Sequence, residues 1–211
     1  MNAKSLAVAT ILGLSAVVAQ AAPIIVTVPN GNFEITSPVG GSGWQEVGVW
    51  TDSSPTQYRT QTSYSVLTGT NGARMVNLGT ASVYQTLSVP AVANATYTLT
   101  FDVGRPNSET GGQVQALLYD GAVGSSTIIN QTKTQINWEA SPTWETFTVT
   151  GTTGATVSGN NISIKFVGVS GGQNGAGDWL DNVSLSYVPE PTSIMTASIG
   201  SLLMLRRRRR A

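Results

Sequence analysis

The chain has 211 residues, among them 23 glycines and nine prolines, with no cysteine, no histidine and a formal net charge of zero. Disulfides, zinc and haem sites and histidine-assisted nucleophiles therefore lack their parts, which leaves oxygen ligands and carboxyl groups as the available chemistry. The zero charge hides an asymmetry: Lys4 and Arg206 to Arg210 lie at the two ends, and between them five basic residues face eleven carboxylates, a net −6 that disfavours nucleic acid as a partner.

Lys4 precedes an apolar run from Leu6 to Ala19, and Ala19-Gln20-Ala21 has the small-residue spacing of a cleavage site. Residues 1–21 read as a signal peptide, removed by signal peptidase after Ala21. The stretch 22–187 is one domain's worth of chain, long enough to bury a core without disulfides.

Within it, alternation of period two recurs. Tyr97, Leu99, Phe101 and Val103 share one face, and Thr96, Thr98, Thr100 and Asp102 share the other. Ile162, Ile164 and Phe166 repeat the pattern, as do Val183, Leu185 and Tyr187. Shorter strands are expected over 73–78, 83–89, 113–119, 127–130 and 145–149. Turn-forming pairs such as Asn71-Gly72, Asp120-Gly121 and Gly159-Asn160 separate them. No helical period appears before residue 190 and no repeat of twenty to fifty residues is present. Many short strands without helices predict an all-β fold, a jelly-roll β-sandwich of about eight or more strands.

The end of the chain, 188–211, has three parts. Val188-Pro189-Glu190-Pro191 comes first, then the fourteen residues Thr192 to Leu205, read as a short hydrophobic helix, then Arg206, Arg207, Arg208, Arg209 and Arg210. At ~1.5 Å per residue the apolar segment spans about 21 Å, short of a hydrocarbon core of ~30 Å. The arginines would hold it on the cytoplasmic side, which describes a transient inner-membrane stop better than a permanent anchor. This order of parts resembles the PEP-CTERM sorting tail. The resemblance implies an exosortase partner that cuts near the proline-flanked Glu190, and delivery to the outer surface or extracellular matrix of a bacterium with an outer membrane.

Further pieces resemble the carbohydrate-binding jelly rolls of the galactose-binding-like class: Asn30-Gly31-Asn32-Phe33-Glu34 early, Val83 to Leu87 and Trp144 to Phe147 between, and Asp181-Asn182-Val183-Ser184-Leu185 late. The resemblance implies a structural calcium on Glu34 and Asp181. Asp181 shares the parity of Val183 and Leu185, so it should point inward, where a carboxylate needs a partner: a hard cation, or backbone N–H groups of a turn. Trp44, Trp50 and Trp138 lie in loop-like stretches and are the candidates for stacking on a sugar ring. Enzyme chemistry would need a carboxylate pair, and no pair can be placed from sequence. The expectation is a non-catalytic exported surface or matrix protein associated with extracellular polysaccharide, with a glycan-binding module as alternative and a small glycoside hydrolase behind both.

Overall fold

The alternating runs become strands. The computed structural model describes residues 21–34, 49–52, 76–79, 81–104, 113–134, 144–169 and 179–190. These hold ten strands: β1 (Ile24–Val26), β2 (Thr51–Asp52), β3 (Val76–Asn77), β4 (Ser82–Pro90), β5 (Ala95–Gly104), β6 (Gln113–Asp120), β7 (Ser126–Thr134), β8 (Trp144–Thr152), β9 (Asn161–Gly168) and β10 (Trp179–Pro189). All belong to one unit, Ala22–Glu190. Residues 1–20 of the expected signal peptide 1–21, and residues 191–211 with Arg206 to Arg210, lie outside the described residues.

One antiparallel sheet runs β1-β10-β5-β8, with β3 pairing a separate stretch of β10; the other runs β2-β4-β9-β6-β7. The expected all-β, two-sheet sandwich is what forms. Tyr97, Leu99, Phe101 and Val103 of β5 are fully buried, as are Ile162, Ile164 and Phe166 of β9. Phe101 and Phe166 meet edge to face across the two sheets, centroids 5.0 Å apart at 65°. Burying each ring is worth about 1.5–3 kcal/mol. On the other face of β5, Thr96, Thr98 and Thr100 stand opposite Thr152, Thr150 and Thr148 of β8, a hydroxyl-coated surface of good strand formers.

The N-terminal segment 28–34 ties the sheets together at one end. Gln85 of β4 donates through Nε2 to the Pro29 carbonyl at 3.0 Å, the Trp50 indole N–H donates to the Asn30 carbonyl at 3.0 Å, and Val183 N–H of β10 donates to the Gly31 carbonyl at 2.8 Å. Glycine is required at 31 because a Cβ there would run into the Val183 carbonyl. Three separate pieces thus cover one side of β10: β3 at its start, the Gly31 turn in the middle and β1 at residues 185–187.

Candidate functional site

The beginning of β10 is irregular. Leu180 pairs with Val103 and Asp181 with Asp102, but the next paired residue, Ser184, faces Thr100, so Asn182 and Val183 together oppose Phe101. This is a bulge, and Asn182 takes it with a φ of +48°, a conformation asparagine tolerates. The extra residue shifts parity. The inward rank running through Leu185 and Val183 is continued by Leu180, opposite the buried Val103. Asp181 instead stands in the rank of Asp102, because residues directly opposite in an antiparallel pair share a face. Asp181 is buried as expected, at 0% exposure, but not through the parity argued from the sequence.

Three strands bring this rank together as Asp181–Asp102–Thr146, with Thr146 of β8 opposite Asp102. Both oxygens of Asp102 accept hydrogen bonds. The Thr146 hydroxyl donates to Oδ1 at 2.6 Å and Asn182 Nδ2 donates to Oδ2 at 3.0 Å. Asp181 is less well provided: Oδ1 accepts from the Asn182 backbone N–H at 2.7 Å, and Oδ2 is buried with no partner. Burial is the main reason its pKa is pushed up to about 8; the Asn182 N–H works against that rise, and the charges of Glu34 and Asp102 add to it. Burial thus favours the carboxylic acid form of Asp181 over the carboxylate. Thr146 is exposed, so the rank reaches solvent at its β8 end.

The adjacent rank is aromatic. Gly104 lies between Trp179 of β10 and Trp144 of β8, and the Trp144 ring occupies the space a Cβ on Gly104 would need. Trp179 is buried and Trp144 half-buried. A carboxylic acid is a proton donor, and the half-buried Trp144 keeps part of its surface for a ligand.

The other sequence candidates are placed as follows. Glu34, half-buried at the end of segment 28–34, acts on Asp181 through its charge. The structure therefore brings Glu34 and Asp181 together electrostatically. In kind they suit a hard cation, and the orphaned Oδ2 is an oxygen donor, but among the described residues no group of three or more acidic side chains is placed to hold a metal ion. Carbonyl oxygens would have to complete a calcium shell.

Trp50, expected to be an exposed stacking residue, is 6% exposed and sits between Phe33 at 5.2 Å and Phe166 at 6.3 Å. Its N–H found a carbonyl partner and its ring found the core, so it has no face for a sugar. Trp44, Trp138 and Pro191 lie outside the described residues. Val188 and Pro189 belong to β10, and Glu190 follows it. The residues that sequence reading missed are Asp102, Thr146 and Asn182; their one signal was an Asp on the threonine face of β5.

The fold and this cluster define an antiparallel β-sandwich with an acid–aromatic patch across three strands of one sheet. A family model described as HpiC1-like, HpiC1 cyclase, matches residues 24–186, and the chain belongs to that family. Among solved structures it resembles a Stig cyclase, Fisc, from Fischerella sp. TAU, in complex with (3Z)-3-(1-methyl-2-pyrrolidinylidene)-3H-indole: 18% identity over 81% of this chain and 100% of that one, TM-score 0.59. A family 35 carbohydrate-binding module from Clostridium thermocellum also matches, at 14% identity over 79% of this chain and 98% of that one, TM-score 0.43. No curated protein matches. The family assignment points to a catalytic cyclase and overturns the expectation of a non-catalytic protein, an expectation that followed from missing histidine and cysteine and overlooked a carboxyl pair formed only by strand register.

Proposed function

We propose that this chain is a cyclase that closes a ring in an unsaturated substrate by proton transfer from Asp181. The observation that carries the reading is the rank Asp181–Asp102–Thr146, in which one buried carboxyl has a free oxygen and its neighbour has none. The Asp181 Oδ2 proton passes to a double bond or basic atom of the substrate. A second double bond attacks the cation so formed, one carbon–carbon bond closes, and the proton lost from the product returns to Asp181. The net change is an isomerisation that needs no oxidant or co-reactant. Asp102 is placed to favour the cation through its charge, and the half-buried Trp144 through its indole ring.

The indole ligand belongs to the Fischerella enzyme, and it suggests for this chain a flat, electron-rich heterocycle. The ends of the chain supply the address in the same proposal: export, a transient hold in the inner membrane, and release by an exosortase to the surface or its extracellular polymer. A calcium ion, where bound, would be held by Glu34 and by Asp181 in its ionised form, in place of the proton.

The test is incubation of the full chain with a panel of alkenyl indoles and mass spectrometry for products of unchanged mass and altered retention. Turnover is expected to vanish in Asp181→Asn. Isomerisation that proceeds equally well in Asp181→Asn would remove Asp181 from the chemistry.

A further inference from the structure

The sorting-tail resemblance puts the cut near Glu190, within Val188-Pro189-Glu190-Pro191. The structure puts most of that segment inside the fold. Val188 pairs with Thr96 and Pro189 with Ala95 in the β5–β10 ladder, and the Glu190 backbone N–H donates to the Asn94 carbonyl at 2.7 Å. Pro189 has no N–H to give, so the Glu190 bond is what closes the end of the strand.

The receiving turn is well braced. Asn94 holds a φ of +49°, and its own N–H donates to the Gly154 carbonyl at 3.0 Å. The Thr153 hydroxyl donates to the Val92 carbonyl at 2.6 Å and accepts from Ala95 N–H at 3.0 Å, while Thr153 N–H donates to the Ala95 carbonyl at 3.0 Å. Val92 N–H donates to the hydroxyl of the buried Tyr97 at 2.8 Å, and the Tyr97 ring packs on Tyr187, two residues before Pro189, at a centroid distance of 5.3 Å. Thr153 and Tyr97 thus fix the carbonyl of Asn94 where Glu190 arrives.

We propose that the folded domain limits its own C-terminal processing: Val188 to Glu190 are zipped onto the turn at Asn94, and a protease removing the tail cuts no earlier than the bond after Glu190. The processing part rests on the sorting-tail reading. A protease binds its substrate as an extended strand through main-chain groups, and here those of Val188 and Glu190 are already engaged by β5 and its turn. The bonds on either side of Pro189 open only when the last rungs of β10 separate.

The full chain in detergent micelles, digested with an endoprotease that cleaves after proline, tests this directly. Cleavage after Pro189 is expected to lag cleavage after Pro191 by at least ~10-fold, the protection of a locally closed segment. Thr153→Val should shorten that lag while circular dichroism stays unchanged; where the variant unfolds instead, amide exchange of Glu190 in the unaltered chain decides, slow exchange supporting the proposal. Equal rates at the two prolines, or free exchange at Glu190, overturn it. In the native host, a mature C-terminus at Glu190 or later supports the assigned cut and one at Val188 or Pro189 overturns it. An intact tail in the host defeats the sorting reading and the processing role with it, whereas protection of Glu190 stands or falls on the digestion.

Discussion

Asp102 and Asp181 occupy directly opposite positions in the β5–β10 ladder, and the negative charge of the first opposes ionisation of the second. Asn182 serves both, through its side chain to Asp102 and its backbone to Asp181. The pair is unequal because Thr146 reaches one carboxyl and nothing completes the other.

The inequality has a pH signature. The Asp181 carboxyl goes from the ordinary 3.8 to about 8 on folding, so between those values the folded state holds a proton that the unfolded chain has lost. Its contribution is fully present below pH 3.8 and is lost as pH rises towards 8. Urea unfolding at pH 5, 7 and 9 should show Asp181→Asn gaining on the parent chain as pH rises, since the amide has no proton to lose. Parallel stability curves would mean Asp181 is ionised in the fold.

Calcium and the proton compete for the same Asp181 oxygen. Millimolar calcium is therefore expected to leave the melting temperature unchanged near pH 6 and to raise it near pH 9, where the carboxyl is ionised. Glu34→Gln should reduce that rise. A calcium effect that is the same at both pH values would separate the cation from Asp181.

Trp50→Ala is expected to cost about 3–5 kcal/mol of stability, the range for emptying a large aromatic site in a core. The loss follows from its contacts with Phe33 and Phe166 and its bond to Asn30. Chemical denaturation measures it; a variant as stable as the parent would contradict the packing.

At Gly31, alanine should destabilise by about 1–3 kcal/mol, since the Cβ must displace the Val183 carbonyl. That movement would disturb the bulge beside Asp181. The same variant is expected to lower turnover more than the Trp50 substitution does at equal residual fold, measured at a urea concentration where both are folded.

Much of the sandwich was legible. Tyr97 to Val103 and Ile162 to Phe166 alternate cleanly because one face of each strand meets the core. β2 and β3 carry two residues each, too few for a period to show. The site was half legible: Glu34 and Asp181 were named as a pair, but Asp102 was assigned to the threonine face with no partner. Alternation tells which face a residue takes and says nothing about which strand lies alongside. One inserted residue at Asn182 then moved Asp181 from one rank to the other, a change visible only in the register. Trp50 failed for a related reason: a glycine- and serine-rich neighbourhood suggested a surface loop, whereas its indole is drawn inward by Phe166, more than a hundred residues further on.

The last described strand is not at the edge of its sheet. β10 is flanked by β5 on one side and by β1 and β3 on the other, so the first and last described strands are bound to each other. A growing polypeptide has no place to put β1 until residues 179–189 have been made, and every intermediate length leaves the sheet missing an interior member. The sheet cannot close before residues 179–189 exist, and the step that closes it also seats Glu190 on Asn94.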